Sequence, residues 1–285
     1  MMTHLWQLPR QTLVIGRRPL VMGIVNVTPD SFSDGGRYTS TDAATALGLE
    51  LVLHGAEILD IGGESTRPGA EPVALERELE RVVPVVEALA RRTAVPLSVD
   101  TSKAEVARRC LECGASIIND VTALGGDADM AAVVRASGAA IVLMHMQGTP
   151  ATMQQAPHYD DVVADIARFF RERLDALMAA GIERERVVLD PGIGFGKTLE
   201  HNLELLARLE EFQQLGRPLC LGVSRKGFLG RLLDRPVEAR LAGSLAAVCH
   251  AMGRGAVQVV RVHDVRETRD AVNLFAAITG DKVTG

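Results

Sequence analysis

The stretch PLSVD at residues 96–100 is a short apolar run that ends on a carboxylate, and it lies between two helix-like segments. The preceding segment, LERELERVVPVVEALARR at residues 75–92, carries apolar residues at helical spacing despite its internal proline, and KAEVARRCLECG at residues 103–114 follows. An apolar strand between two helices is typical of a βα unit, in which both faces of the strand are buried. The stretch therefore predicts a parallel sheet covered by helices.

The same unit recurs along the chain, each time with a strand-like run that ends on a polar residue. Open doubly wound sheets more often have about five or six strands, so eight such units favour a closed (β/α)8 TIM barrel. The eight runs are PLVMGIVN (19–26), EILDIGGE (57–64), PLSVD (96–100), SIIND (116–120), AAIVLMH (139–145), RVVLD (186–190), PLCLGVS (218–224) and VQVVRVH (257–263).

The length of the chain fits one such barrel. The chain has 285 residues, and a barrel of this class needs about 250. No linker, low-complexity segment or change of composition divides it, so we expect a single domain over residues 1–285 with its core at about 19–280. Residues 1–19, which contain LWQLPRQTLVIG, predict a short N-terminal β-hairpin over one end of the barrel.

The charge and hydropathy patterns exclude several classes of protein. The formal net charge is −5, so no bulk positive charge favours nucleic acid or an anionic membrane surface as a partner. An anionic small substrate therefore requires a local cluster of cations. No apolar run is long enough to span a membrane, and the N-terminus lacks the features of a signal peptide. These patterns predict a cytoplasmic protein.

Four cysteines are present, and two of them, Cys110 and Cys113, form a C-x-x-C pair. No second pair with the spacing of a zinc site accompanies them, since Cys220 and Cys249 are far apart. Reduced, structural thiols are the expectation for a cytoplasmic chain, and a metal or redox role is the alternative.

The polar residues at the ends of the runs indicate where the chemistry takes place. In a barrel, the carboxyl ends of all eight strands face one mouth. Asn26, Asp100, Asn119, Asp190 and His263 are then expected to converge, although they lie far apart in the sequence. Any one Asp or Asn is equally well explained as a helix cap or a turn residue, but five polar endings together indicate a site.

A glycine-rich segment, DPGIGFGKT at residues 190–198, is similar to a phosphate-binding loop but does not match one. The Walker pattern needs a glycine where this chain has Pro191, and the glycine spacing also departs from the dinucleotide fingerprint. The glycines instead predict a backbone that turns tightly beside a flat ligand.

Basic side chains at the ends of strands seven and eight predict an anion site. SRKG at 224–227 and RVHD at 261–264 lie where barrels often bind phosphate, and a guanidinium offers forked donors to phosphate oxygens. The alternative is that these side chains are solvated or pair with acids such as Asp264. The predicted group consists of Arg225, Lys226, Arg261 and His263.

Two longer loops follow the first and second strands. NVTPDSFSDGG at 26–36 is rich in Ser, Thr, Asp and Gly, and GGESTRPGA at 62–70 has Arg67 as its one cation. Such loops are common as plain connections. At the mouth of a barrel, βα loops carry function, which favours mobile lids over a site.

Together, these segments resemble the motifs of the dihydropteroate synthases. GIVNVTPDSFSDGG at 23–36 and GGESTRPGA at 62–70 are similar to the two long signatures of that family, and the resemblance extends from about Pro19 to near the C-terminus. The shorter motifs occur in the family order as SVDTSK (98–103), IIND (117–120), LMHMQGTP (143–150), DPGIGFGK (190–197), SRK (224–226) and RVHDV (261–265).

The resemblance implies a TIM-barrel transferase of folate biosynthesis. Such an enzyme condenses 6-hydroxymethyl-7,8-dihydropterin pyrophosphate with p-aminobenzoate, releases pyrophosphate and is a target of sulfonamides. A homodimer is also implied, for which AAVCHAMGRGA at 246–256 is a candidate surface, although core burial explains that segment equally well. Two alternatives are the folate-binding domain of a corrinoid-dependent methyltransferase and a non-catalytic pterin-binding paralogue. The basic group and the intact long motifs argue against both.

The resemblance also implies the residues that recognise the pterin. Asp190 matches the carboxylate that pairs with the donor edge of the ring, and Asp100 and Asn119 match its other polar contacts. Met144 matches an apolar contact to the ring face. Lys226 matches a lysine that reaches the pterin and borders the p-aminobenzoate site. Phe195 and Ser224 are also expected to bind substrate.

The remaining implied roles concern the pyrophosphate and the second substrate. Asn26 matches a ligand of Mg²⁺, which the pyrophosphate also binds, and Thr66 lies near the substrates. Many members carry a larger side chain at the position of Gly227, so one contact to the p-aminobenzoate carboxylate is missing here. Arg261 and His263 match pyrophosphate anchors, and the loops that carry Phe32, Arg67 and Pro68 are expected to close over the substrates. The catalytic set predicted in this way is Asp100, Lys226, Arg67, Arg261 and His263.

Overall fold

The computed structural model describes residues 3–28, 40–67 and 69–280. An antiparallel hairpin of strands β1 (His4–Gln7) and β2 (Thr12–Ile15) precedes a larger sheet. Eight parallel strands build that sheet, and helical segments separate them along the chain. They are β3 (Leu20–Asn26), β4 (Ile58–Gly62), β5 (Leu97–Asp100), β6 (Ile117–Asp120), β7 (Ala140–Met144), β8 (Val187–Asp190), β9 (Cys220–Leu221) and β10 (Val259–Val262).

The order of the strands shows that the sheet closes on itself. Neighbouring strands follow the order β8-β7-β6-β5-β4-β3-β10-β9. A parallel bridge between Leu189 and Leu219 joins β8 to the segment that leads into β9. The prediction of a (β/α)8 TIM barrel with a short N-terminal hairpin is therefore confirmed.

Helices surround the barrel and supply the outer layer that parallel strands need. The segment predicted at 75–92 forms α2, with Pro84 inside it. The longest helix, α5, begins after Asp161, whose side chain accepts hydrogen bonds from two backbone amides of the first turn. In the described part of the chain, the helices are α1 (Ser40–Leu53), α2 (Leu75–Ala90), α3 (Ala104–Glu112), α4 (Met130–Ser137), α5 (Val162–Ala179), α6 (Leu199–Ala207), α7 (Gly227–Leu233), α8 (Leu241–Gly253) and α9 (Val265–Ile278).

The interior of the barrel is apolar at the amino-terminal ends of the strands. Side chains that alternate along each strand point inward, and the first inward position of most strands is aliphatic. The hairpin adds an indole to this layer and so covers the lower end of the barrel. The inner layer consists of Trp6, Leu8, Ile15, Met22, Ile58, Ile117, Ala140, Val142, Val188, Cys220 and Val259.

Hydrogen bonds as well as apolar contacts hold the hairpin in place. The indole N–H of Trp6 donates to the carbonyl oxygen of Arg186 at 3.0 Å, and Arg217 Nη2 donates to the carbonyl oxygen of Leu5 at 3.1 Å. Trp6 is fully buried, so its polar atom needs such a partner. The hairpin is thus an integral part of the core.

The four cysteines are free thiols. Cys110 is buried in α3, and burial raises the pKa of its thiol to about 12, so it is unreactive at neutral pH. Cys113 is the residue directly after α3. In the three described ranges, no three His, Cys, Asp or Glu side chains are grouped to hold a metal ion. No helix in these ranges is long and apolar enough to cross a bilayer.

Trp6→Ala is expected to lower the free energy of unfolding by about 3–5 kcal/mol, because it removes a large buried ring and leaves a cavity under the barrel. Urea denaturation of both proteins measures the difference. Val14→Ala on the same hairpin is the matched control: its side chain is 66% exposed, and we expect a change within about 0.5 kcal/mol. Similar small effects for both variants would contradict the docking of the hairpin.

Candidate active site

A pocket opens at the carboxyl ends of the strands, on the barrel axis. Its volume is about 20 Å³, and ten residues line it. All of them except Val121 and Gly222 belong to the site predicted from the sequence. The lining residues are Thr66, Asp100, Asn119, Val121, Met144, Asp190, Phe195, Gly222, Lys226 and Arg261.

Strand register explains why residues so distant in sequence meet here. Asp100 and Asn119 are paired positions of β5 and β6, and Met144 and Asp190 are paired positions of β7 and β8. Each lies at or next to the carboxyl end of its strand, and its side chain points into the barrel. The inner face of the barrel therefore changes from apolar to polar within two residues along several strands, for example from Val188 to Asp190 on β8.

An ion-pair network crosses the floor of the pocket. Arg261 Nε donates to Asp60 Oδ2 at 2.6 Å, and its Nη2 donates to Asp100 Oδ2 at 2.7 Å. The amide nitrogen of Asn119 donates to the same oxygen of Asp60 at 3.0 Å. A single guanidinium on β10 thus joins carboxylates from β4 and β5.

Asp60 was not predicted from the sequence as a site residue. It lies in the middle of an apolar run, EILDIGGE, and not at its end, and its side chain is fully buried. A carboxylate inside a buried strand needs a charged or hydrogen-bonding partner, and that requirement was the available signal. Asp60 now explains the orientation of both Arg261 and Asn119.

Burial and charge together shift the protonation of this network. Burial raises the pKa of Asp100 to about 7, against the effect of Arg261, and the neighbouring Asp60 adds to the rise. For Arg261, burial acts to lower the pKa, but Asp60 and Asp100 outweigh it, so the pKa is raised and the guanidinium stays charged. Asp100 is therefore the group in this network that titrates near neutral pH.

Asp190 and Lys226 form the opposite wall. Asp190 Oδ1 accepts a hydrogen bond from the backbone amide of Gly192 at 2.8 Å. Burial raises the pKa of Asp190, against the effect of Lys226. Burial also lowers the pKa of Lys226 to about 8, although Asp190 opposes this shift. Asp190 is buried and Lys226 half-buried, and each compensates part of the charge of the other.

Lys226 is further fixed by the glycine-rich loop after β8. Its ammonium donates to the carbonyl oxygen of Ile193 and lies 4.6 Å from the centre of the Phe195 ring. A cation over an aromatic face is attracted by the ring quadrupole. The ring and the carbonyl together set where the lysine can reach.

The tight turn predicted for this loop is present, but its close neighbour is protein backbone. Gly192 and Gly196 have φ of +67° and +62°, and a Cβ on either would lie 1.9 Å from the carbonyl oxygen of His145 or 2.4 Å from that of Gln147. Lys197, the residue that would bind phosphate in a Walker loop, is buried and donates to the carbonyl oxygen of Phe195 at 2.8 Å. The glycines therefore let this loop pack on the loop after β7.

Besides Arg261, whose acid partners are described above, two members of the predicted basic group are not free cations in this structure. Arg225 pairs with Asp264, with Nε and Oδ2 3.0 Å apart, so the alternative of an acid partner is correct for this residue. Burial, with the help of Arg261, lowers the pKa of His263 to about 4, so its ring is uncharged at neutral pH. The anion contact expected for His263 stays a prediction.

Ser224 lies in a turn and not at the end of a strand. Strand β9 ends at Leu221, three residues earlier than predicted. The hydroxyl of Ser224 is 3.0 Å from His263 Nδ1 and accepts from the backbone amide of His263 at 3.2 Å. This pair connects the loops that follow β9 and β10 beside the pocket.

Several predicted residues lie outside the central pocket. Asn26 is half-buried at the end of β3, and Arg67 is exposed. Phe32 and Pro68 lie outside the described residues, as does the rest of the loop around Asp34. A second cavity of about 360 Å³ adjoins the pocket and shares Thr66, Asp100 and Val121 with it.

The fold and the site define a TIM-barrel protein with a charged pocket at the carboxyl ends of its strands. Residues 22–263 match the family described as pterin binding enzyme. The dihydropteroate synthase of Escherichia coli (strain K12) is 50% identical over 264 residues, which is 93% of either chain.

Two solved structures of dihydropteroate synthase from Xanthomonas albilineans are also similar. The one with 4-aminobenzoic acid has a TM-score of 0.92 and 48% identity and covers 99% of this chain and 100% of its own. The complex with 7,8-dihydropteroate has a TM-score of 0.85 and 46% identity, and it covers 94% of this chain and 97% of its own. The chain therefore belongs to the pterin-binding enzymes and, within them, to the dihydropteroate synthase family of transferases.

The raised pKa of Asp100 predicts a pH-dependent contribution to stability. A carboxyl group that binds its proton more tightly when folded stabilises the fold below its unfolded pKa of about 4. This contribution is lost as the pH rises through about 7. Asp100→Asn has no titrating group at this position, so it does not lose this contribution. Between pH 4 and 8, the free energy of unfolding of the variant should therefore rise relative to that of the unmodified protein by up to about 4 kcal/mol.

Urea denaturation at a series of pH values measures this difference. Asp160→Asn is the matched control, because the Asp160 side chain is 97% exposed and should give no pH-dependent difference. Parallel pH profiles for Asp100→Asn and the unmodified protein would show that Asp100 has an ordinary pKa.

Proposed function

We propose that this site condenses 6-hydroxymethyl-7,8-dihydropterin pyrophosphate with p-aminobenzoate to give 7,8-dihydropteroate and pyrophosphate. The observation that carries the proposal is the pocket itself, where two buried carboxylates, Asp100 and Asp190, face Lys226 and Arg261. Such a pocket offers acceptors to the donor edge of a heterocycle and cations to an attached anion. Membership of the dihydropteroate synthase family supports the same reaction.

Asp190 and Asn119 are the pterin-recognising groups in this proposal. Asp190 uses Oδ1 for the amide of Gly192, which leaves Oδ2 to accept from the ring. Asn119 donates its amide nitrogen to Asp60, which leaves its carbonyl oxygen to accept from the ring. Met144 supplies an apolar contact to the ring face. The pocket's present volume of about 20 Å³ requires lining side chains such as Lys226 to move when the ring enters.

The pyrophosphate is assigned to the side of the mouth formed by β3, β4 and β10. Arg261 keeps its charge at any physiological pH, and exposed Arg67 is free to turn toward the same group. His263, uncharged at neutral pH, contributes a hydrogen bond and not a charge. A guanidinium pair suits phosphate oxygens because of its forked donors.

Asn26 is proposed as a protein ligand of Mg²⁺. In the described ranges no cluster of carboxylates, histidines or cysteines accompanies it, so the donor set fits an ion held chiefly by pyrophosphate oxygens and water. Bound in that way, Mg²⁺ would neutralise charge on the leaving pyrophosphate. Asn26 lies at the carboxyl end of β3, beside the position assigned to that group.

The reaction needs no covalent enzyme intermediate. The bond from the pterin methylene carbon to pyrophosphate breaks, and Asp100, placed beside Arg261, stabilises positive charge that develops on the carbon. The amine of p-aminobenzoate then attacks that carbon and loses a proton. Phe195 and Lys226 form the wall against which this substrate lies, and Ser224, with Thr66, Phe32 and Pro68, completes the proposed enclosure. Closure excludes water, which would otherwise capture the cationic carbon.

We also propose that the chain is a cytoplasmic, single-domain protein that forms a homodimer. The 246–256 segment contributes mainly to the core, since Val248, Ala251 and Met252 are buried. The helices on either side of α8 expose large apolar side chains, which favours α7 and α9 as the contact surface. These side chains are Leu232, Leu233, Leu274 and Ile278.

The purified chain is expected to form dihydropteroate and release pyrophosphate when given both substrates and Mg²⁺. Product is measured by chromatography and pyrophosphate by a coupled assay. A chelator should stop turnover and added Mg²⁺ should restore it, because the ion is assigned to the leaving group. A sulfonamide should compete with p-aminobenzoate. If folded protein that still binds a pterin forms no product, the proposal is refuted.

Asp190→Asn is expected to weaken binding of the pterin pyrophosphate by at least about 2 kcal/mol, or roughly thirtyfold. The amide replaces a charged acceptor with a group that presents a donor to donors. Calorimetric titration measures the affinity. Asp160→Asn, at a position 97% exposed, is the matched control and should bind as the unmodified protein does. If Asp190→Asn binds the pterin pyrophosphate with unchanged affinity, Asp190 does not recognise the pterin.

A further inference from the structure

Glu78 is a buried carboxylate on a helix whose other acidic residues face solvent. It lies in α2, within the charged sequence LERELERVV, and its side chain is fully buried. Glu76 and Glu80 on the same helix are exposed. A buried carboxylate is costly unless it is paired and hydrogen-bonded, so the partners of Glu78 are informative.

Both oxygens of Glu78 bind residues of the loop after β5. The hydroxyl of Thr101 donates to Oε1 at 2.6 Å, and Lys103 Nζ donates to Oε2 at 2.5 Å. Thr101 Oγ1 also accepts from the backbone amide of Lys103 at 3.2 Å, which closes a tight turn. This turn begins directly after Asp100, so Glu78 fixes the segment that carries a residue of the active site.

Lys103 extends the same connection to the loop after β4. Its ammonium also donates to Glu64, two residues before Thr66. A second side chain of α2 supports this loop, because Arg81 Nη1 donates to the carbonyl oxygen of Gly63 at 2.7 Å. One helix therefore holds the bases of two neighbouring loops. Thr66 in the first loop and Asp100, directly before the second loop, line the pocket.

Stability alone does not account for a charge at this position. Removing a buried ion pair from water costs several kcal/mol per ion, and apolar side chains of similar volume usually stabilise at least as well. A hydrogen-bonded network instead defines one geometry among its members. Glu64, Glu78, Thr101 and Lys103 all line the cavity of about 360 Å³ that adjoins the pocket, so the network lies at the wall of the site.

We propose that Glu78 is a positioning residue for the condensation, which holds Asp100 through Thr101 and holds the Glu64–Thr66 segment through Lys103. The inference rests on the proposed function, which places Asp100 beside the reacting carbon and Thr66 beside the second substrate. A displacement of about 1 Å at reacting groups is enough to change rates about a hundredfold. Glu78 acts through its neighbours and does not touch the substrates.

Glu78→Gln tests the proposal because it keeps the shape of the side chain and removes the charge that Lys103 needs. We expect kcat to fall roughly tenfold to a hundredfold and KM for p-aminobenzoate to rise severalfold. Pterin affinity should stay within about threefold, because Asp190 and Asn119 are untouched. Glu80→Gln is the matched control: the same change on the same helix, at a side chain 68% exposed, should leave all three values unchanged.

A second variant covers the case in which Glu78→Gln does not fold. Glu64→Gln changes the outer end of the network, where the side chain is 23% exposed, and breaks only the link to Lys103. It should raise KM for p-aminobenzoate severalfold with a smaller effect on kcat. Combined with Lys103→Met, it should add little to the effect of Lys103→Met alone, because both changes break the same link.

The outcomes separate this inference from the proposed function. An inactive unmodified protein overturns both. An active protein whose Glu78→Gln and Glu64→Gln variants keep normal kcat and KM overturns the positioning role alone, and so does a Glu78→Gln variant that is only less stable. Additive effects of Glu64→Gln and Lys103→Met would also refute the connection through Lys103.

Discussion

Arg261 reaches across the barrel axis to Asp60 and Asp100, and the arrangement of the whole mouth depends on how these buried charges are compensated. A guanidinium inside a closed sheet is tolerated only if acceptors surround it. The carboxylates come from β4 and β5 and the guanidinium from β10. The ion pairs therefore also restrict the relative positions of these three strands. Asn119, which donates to Asp60, adds β6 to the same network.

The barrel separates stability from chemistry along the length of its strands. The inward positions near the amino-terminal ends form an apolar layer, which the hairpin residue Trp6 completes. Two residues further along several of these strands, the inward position holds a charge: Ile58 is followed by Asp60, and Val259 by Arg261. Burial of the apolar layer stabilises the fold, and it supports a charged layer that by itself contributes little net stability.

Most of this architecture was predictable from the sequence, because strand periodicity and parallel register are local consequences of the residue pattern. Strand ends such as Asp100 and Asp190 were predicted to converge, and they do line one pocket. Asp60 and Glu78 were not predicted, for opposite reasons. Asp60 lies inside an apolar run, which is read as a buried strand without chemistry. Glu78 lies among charged residues that are typical of a solvated helix face. An acid partner such as Asp264 was one of the alternatives predicted for Arg225, and tertiary packing decides between them. The neighbour of Gly192 also depends on tertiary packing, which no local pattern contains.

Among the described loops around the mouth, two pairs of neighbouring loops are joined by side-chain contacts. Lys103 connects the loops after β4 and β5, while the contacts of Ser224 with His263 and of Arg225 with Asp264 connect the loops after β9 and β10. Paired loops move less independently than single ones, which suits a reaction that depends on placing two substrates and not on a protein nucleophile. The charged floor beneath them then lies between two loop pairs whose bases are fixed in relation to it.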